Sequence, residues 1–182
     1  SFEAVGYRLC YPQEQTGIPM LILPQAGRGV ADADQRARMA RDPRTARELL
    51  SFTFTHNHLI WPAYINGTVV RTFCEKVEVP FGLGDAIFHG WWENDIRSEP
   101  ASVRVSVWEK PGRADYLLAA ANWGDEDVAA RIALPAALAG CTEFVDMESG
   151  EAVDRSNPMV LSIPAHDLRV LRLSEASRKE AA

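Results

Sequence analysis

The sequence predicts strand–helix units of a parallel α/β sheet, followed by an all-β antiparallel sandwich. Two apolar runs, at residues 18–23 and 59–65, lack polar alternation, which indicates strands buried on both faces of a parallel sheet. From residue 86 onward, short alternating runs between turn clusters indicate an antiparallel sandwich. The 182 residues are 47% hydrophobic and 24% charged, which is the balance of an ordinary globular chain.

Two helices are predicted after the first apolar run. Asp32 or Asp34 can cap a helix that continues through Ala40, and Asp42 before Pro43 forms a second helix start. The apolar side chains of the second helix recur at spacings of three and four and predict one buried stripe, formed by Ala46, Leu49, Leu50 and Phe54. Its other face is charged and is expected in solvent, with Arg44, Arg47 and Glu48.

The second apolar run predicts a strand over 59–65, after which Asn66 can cap a helix over 67–78 that Pro80 ends. Seven sandwich strands are predicted, at residues 86–91, 102–109, 115–123, 127–134, 142–147, 158–163 and 167–173. The pattern changes between Pro80 and Asp85, from mixed strand and helix segments to short alternating strands. We therefore divide the chain into 1–83, a sandwich over 84–173 and a polar tail over 174–182.

Composition excludes several classes of partner. The net charge of −6 provides no basic surface for nucleic acid, and no apolar run approaches the ~18 residues that a membrane span needs. Three cysteines without close pairing predict neither a zinc site nor any other metal or cofactor site. The lack of a disulfide pattern slightly favours the cytoplasm, and a signal upstream of Ser1 would permit export.

Three segments carry a family resemblance. They read LIWPAYIN at 59–66, FHGWWEN at 88–94 and VRVSVWEKPG at 103–112, and DMESGE at 146–151 adds a matching turn. Together they resemble the C-terminal region of glycoside-hydrolase-like proteins, in which a (β/α)8 barrel precedes a C-terminal β-sandwich. Trp91 departs from the usual glycine or tyrosine pattern.

The resemblance implies that residues 1–83 are an α/β barrel tail, the last strand–helix units of a barrel whose remainder lies before Ser1 or on another chain. It implies a carbohydrate substrate and catalytic acids on earlier strands. This chain contains 25 acidic residues but no motif that pairs two of them, so its catalytic residues stay unassigned. By itself the chain is expected to be inactive.

Six residues are candidates for contacts with sugar or at the junction of the two parts: Trp61, Tyr64, Asn66, His89, Trp92 and Glu93. Tryptophan faces stack on sugar rings, and a neighbouring carboxylate can accept hydroxyl hydrogen bonds. The structural alternative is that Trp91 and Trp92 pack the junction, that Glu93 holds an arginine or a loop amide, and that Asn66 only caps its helix.

His56 and His58 flank Asn57 at the end of a predicted helix. A spacing of two puts their rings on different helix faces, so a shared metal would require an extended backbone there. A histidine bonded to a helix-end carbonyl is the simpler interpretation.

Two other functions are open beside the glycosidase tail. One is a free-standing carbohydrate-binding module, in which Trp91 or Trp92 binds glycans without cleavage. The other is a structural interaction domain, in which the apolar runs 18–23 and 59–65 pair with another chain because parallel strands need cover on both faces.

Overall fold

The computed structural model describes residues 21–24 and 29–175, and it begins with two short strands. Strand β1 is Leu21–Ile22 and strand β2 is Leu59–Ile60, and the two pair in parallel with Leu21 opposite Leu59. The parallel pairing agrees with the prediction from the apolar runs, of which residues 18–20 lie outside the described part of the chain.

Helices α1 (Ala33–Arg41) and α2 (Pro43–Phe54) connect the two strands. Asp32 caps α1 by accepting hydrogen bonds from the N–H groups of Asp34 and Gln35, and Asp42 caps α2 by accepting from Arg44 N–H. These bonds satisfy amide donors that have no partner inside the helix. Both capping predictions are therefore confirmed, with Asp32 in the α1 position.

Strand β2 is shorter than the sequence predicts. It ends at Ile60, and Pro62–Tyr64 forms a 3-10 turn in place of the strand predicted through residue 65. Pro62 has no N–H for a strand ladder, which explains why the strand ends before the apolar run does.

The next helix is longer and less regular than predicted. It runs as α3 (Gly67–Phe73), a π-helical segment (Cys74–Glu78) and α4 (Val79–Phe81). Pro80 directly follows the π-helical segment and does not end the helix as predicted. The chain instead turns at Gly82, whose φ of 71° is left-handed.

Residues 87–174 form two antiparallel sheets. The five-stranded sheet has the order β3-β5-β6-β10-β8, and the three-stranded sheet has the order β4-β7-β9. The strands are β3 (Ile87–His89), β4 (Arg97–Glu99), β5 (Val103–Glu109), β6 (Asp115–Asn122), β7 (Val128–Ala133), β8 (Glu143–Asp146), β9 (Met159–Ile163) and β10 (Asp167–Ser174). The seven predicted strands are present.

Strand β4 and helix α5 were not predicted from the sequence, and the last strand ends one residue later than predicted. Strand β4 has only three residues without an apolar alternation, and helix α5 (Ala136–Ala139) has four residues. Strand β10 includes Ser174, which had been assigned to the tail, and residues 176–182 lie outside the described part.

Two apolar cores lie on opposite faces of the five-stranded sheet. One fills the space between the two sheets and includes Val105, Leu118, Ile132 and Leu161. The other lies under the helices and includes Leu50, Phe54, Phe73, Leu117 and Leu168. Side chains along β6 alternate between the two cores: Leu117 faces the helices and Leu118 faces the other sheet. None of the helices in the described residues is long and apolar enough to cross a membrane.

Candidate functional site

The candidate residues fall into two groups, one directly after β2 and one around the FHGWWEN turn. Trp61 and Tyr64 follow the carboxyl end of the strand, with side chains 57% and 53% exposed. Trp61 N–H donates to the carbonyl of Ile22 at 3.0 Å, which fixes the backbone there to β1. The two aromatic side chains therefore lie on a fixed backbone and present much of their surface to solvent.

Asn66 belongs to the same end of β2 but has both ends of its amide engaged. Its Oδ1 accepts from Val69 N–H at 3.3 Å, and its Nδ2 donates to the carbonyl of Arg41 at 2.8 Å. The helix-capping alternative is thus observed, and the second bond ties the start of α3 to the end of α1.

Glu93 and Asn94 close a tight turn within the FHGWWEN motif. Glu93 Oε1 accepts from Gly90 N–H at 2.8 Å, and Glu93 N–H donates to the carbonyl of Gly90 at 3.0 Å. Asn94 Nδ2 donates to the carbonyls of Gly90 (2.8 Å) and Val105 (2.9 Å). Glu93 therefore holds a loop amide, as the structural alternative predicted.

His56 lies at the centre of a cluster of tryptophan rings, on the amino-terminal side of β2. Its ring stacks on Trp92 and on Trp123, with centroids 5.6 Å away in each case, and meets Trp91 edge-on at 6.1 Å. Trp92 therefore packs at the junction between helix α2 and the sandwich, as the structural alternative predicted.

The bonds of His56 define its tautomer. Nδ1 lies 2.7 Å from the carbonyl of Phe52, which can only accept, so Nδ1 carries the proton. Nε2 then accepts from Trp91 Nε1 at 3.4 Å. The helix-end carbonyl interpretation holds for this histidine. Burial lowers the pKa of neighbouring His58, which favours its neutral form.

His89 lies at the end of β3, directly before the turn. Its Nε2 is 3.2 Å from Glu109 Oε2 on β5, and the two side chains are about 40% exposed. This contact is an ion pair only when the imidazole is protonated. The structure thus groups His89, Trp92 and Glu93 around one turn, while Trp61, Tyr64 and Asn66 follow β2.

Cys74 and Glu78 line a cavity of about 80 Å³ between α2, β2 and the π-helical segment. Burial, together with the negative charge and hydrogen bond of Glu78, raises the pKa of Cys74 to about 11. The thiol is therefore protonated at neutral pH and is a poor nucleophile. Nowhere in residues 21–24 and 29–175 do three His, Cys, Asp or Glu side chains form a metal-binding group.

An ion network that the sequence did not predict joins α2 to the sandwich. Arg47 donates to both carboxylate oxygens of Glu148 (2.6 and 2.9 Å), to Asp167 Oδ1 (2.7 Å) and to the carbonyl of Leu168 (3.0 Å). Its side chain is only 20% exposed, so the predicted solvent position is wrong. Partners more than 100 residues away leave no local signal in the sequence.

No family model and no curated protein matches the chain. Solved structures do match. A GH27 β-L-arabinopyranosidase from Geobacillus stearothermophilus matches with a TM-score of 0.51 at 14% identity, over 76% of this chain and 32% of that one. The α-galactosidase I from Mortierella vinacea matches with a TM-score of 0.52 at 15% identity, over 74% of this chain and 36% of that one.

These likenesses concern the fold. The chain spans about a third of the length of the solved structures that it matches. Both are glycosidases, so the glycoside-hydrolase-like resemblance seen in the sequence agrees with the fold that the structure adopts.

Proposed function

We propose that this chain is the C-terminal portion of a glycoside-hydrolase-like protein that acts on carbohydrate. One observation carries the proposal: about three quarters of the chain matches the fold of two glycosidases, and the match accounts for only about a third of each. The catalytic carboxylates belong to the remaining part, outside this chain.

The order of elements supports a barrel tail in residues 1–83. Strand β1, helices α1 and α2, strand β2 and the helix from Gly67 follow one another as alternating strand and helix segments, and the two strands are parallel. This is the repeating unit of a (β/α) barrel, and the antiparallel sandwich follows it directly.

The partners of the carboxylates support placing the catalytic acids elsewhere. Asp146 and Glu148 bind Arg169 and Arg47, Asp115 binds Arg172, and Glu93 binds a loop amide. Glycoside hydrolysis usually requires two carboxyl groups about 5 to 9 Å apart across the scissile bond. These four acids instead hold structural contacts.

We assign substrate contact first to Trp61 and Tyr64. They follow the carboxyl end of a parallel strand, where barrel enzymes place their sites, and both rings are more than half exposed. Asn66 supports the same segment through its two bonds. The second proposed group lies at the junction between α2 and the sandwich and consists of His89, Trp92 and Glu93.

The test compares the longer polypeptide with residues 1–182 on a panel of aryl glycosides. We expect turnover by the longer polypeptide and none by residues 1–182. Trp61→Ala in the longer polypeptide should raise KM about fivefold, because ring stacking contributes about 1 kcal/mol. The matched control is Ile87→Ala, an exposed apolar residue on β3, which should leave KM unchanged. Turnover by residues 1–182 would contradict the proposal.

A carbohydrate-binding module is the second candidate, and the exposure of Trp61 and Tyr64 favours it. It predicts saturable glycan binding by residues 1–182 that weakens in Trp61→Ala. Binding without turnover by any longer polypeptide would select this function over the first.

A further inference from the structure

Helix α1 lies at the surface and contributes to neither apolar core. None of its nine residues is buried. Arg38 and Arg41 are both exposed and lie three residues apart, so they share one face of the helix. In the part of the chain that the structure describes, neither guanidinium forms an ion pair with a carboxylate. This face of α1 therefore presents two positive charges that can bind an anion.

The carboxylates near this face are engaged elsewhere. Asp32 accepts hydrogen bonds from backbone N–H groups at the start of α1, and Asp42 does the same at the start of α2. Asp34 precedes Arg38 by one helical turn, but the two do not form an ion pair. The segment 59–70 contains no charged residue. The chain has 25 acidic and 19 basic residues, so the two arginines are unpaired although carboxylates are in excess.

The fold places this arginine face beside the exposed aromatic rings that follow β2. Asn66 Nδ2 donates to the carbonyl of Arg41 at 2.8 Å, which fixes the end of α1 against the segment that contains Trp61 and Tyr64. Trp61 N–H in turn donates to the carbonyl of Ile22, so this segment lies at the carboxyl edge of the β1–β2 pair. Guanidinium groups and exposed rings thus occupy the same edge.

We infer that this edge binds an acidic sugar, with its carboxylate or sulfate group on Arg38 and Arg41 and its ring stacked on Trp61. The inference rests on the proposed function and names the substrate class, a carbohydrate that carries negative charge. A guanidinium presents a planar pair of N–H donors that matches two oxygens of such a group, and an aromatic face packs against the ring. A neutral sugar would use the aromatic face and leave both arginines unpaired.

Calorimetric titration of residues 1–182 with three matched trisaccharides tests the inference. The probes are made of galactose, of galacturonic acid and of sulfated galactose. We expect at least one acidic trisaccharide to bind about tenfold or more tightly than the neutral one, because hydrogen bonds to charged groups are strong. The double variant Arg38→Gln with Arg41→Gln should lose this preference and keep its affinity for the neutral trisaccharide.

The matched control is Arg131→Gln, which removes an exposed arginine from β7 in the other sheet and should keep the preference. The acidic trisaccharide that binds more tightly identifies the group, carboxylate or sulfate. Equal affinity for the neutral and acidic trisaccharides, or no binding of either acidic one, would overturn the inference. An equal loss in Arg131→Gln and in the double variant would show unspecific attraction and would overturn it as well.

Turnover by the longer polypeptide separates this inference from the proposed function. Cleavage of neutral aryl glycosides but not of aryl uronides or sulfated glycosides would keep the proposed function and overturn the acidic substrate class. Preferential binding of an acidic trisaccharide by residues 1–182, without turnover of any glycoside by the longer polypeptide, would keep the binding edge and overturn the enzymatic proposal.

Discussion

At the scale of single residues, Gly90 determines how the FHGWWEN turn packs. Gly90 is buried, and a Cβ added there would overlap the indole ring of Trp92. We expect Gly90→Ala to lower the free energy of unfolding by about 1–3 kcal/mol, because the ring must leave its stack on His56. Urea unfolding measures the loss. Gly84→Ala is the control, since no atom lies within 4 Å of its added Cβ, and an equal loss in both variants would contradict the assignment.

Asp146 is a second residue whose contacts predict a measurable effect. Burial raises the pKa of this carboxyl, but the hydrogen bonds from Ser149 N–H and Arg169 lower the pKa by more than burial raises it. The pKa of Asp146 therefore lies below its ordinary value. Its contribution to stability is therefore complete above the unfolded-state pKa, near 4, and is lost as the pH falls through the folded-state pKa.

We expect Asp146→Asn to cost about 2 kcal/mol at pH 7, because its amide NH2 would face Arg169, which donates to Oδ2 in the native protein. The difference from the native protein should shrink as the pH falls below about 4, because the carboxyl of the unfolded chain binds its proton before the folded carboxylate does. Urea titrations at several pH values measure this. Asp95→Asn, at an exposed loop position, is the control, and a difference that grows on acidification would refute the assignment.

At the scale of elements, the Arg47 network holds α2 against the loops of the sandwich. Arg47→Met leaves Glu148 and Asp167 without their guanidinium, and we expect a loss of about 2 kcal/mol. Hydrogen exchange of the α2 amides should accelerate correspondingly. Arg44→Met replaces an exposed arginine of the same helix and should leave the exchange unchanged. Equal exchange in the two variants would mean that apolar packing alone holds the helix.

Elements with a strong local signal were predictable from the sequence. The alternation in β5 and β7 and the caps Asp42 and Asn66 appear in the structure where they were predicted. Local signals failed at two prolines. Pro62 ends β2 early, and the π-helical segment carries the helix past Pro80 to Gly82.

The candidate site was less predictable, because its geometry depends on long-range contacts. The sequence singled out Trp91 and Trp92 but not Trp123, which stacks on the same His56 from more than 60 residues away. Residue type identified the aromatic candidates, and only the fold divided them into two groups.

At the scale of the whole molecule, the five-stranded sheet belongs to both cores, so the helices and the sandwich should unfold together. Leu50→Ala removes a buried side chain from the helical core, and Leu161→Ala removes one from the core between the sheets. We expect each to cost about 2–5 kcal/mol and to shift one common transition, whether followed by tryptophan fluorescence or by circular dichroism. Because β6 and β10 supply side chains to both cores, the helices would lose the sheet that they cover as soon as the sandwich opened. Two separate transitions, each shifted by only one of the variants, would show that residues 1–83 and 84–173 unfold as independent units.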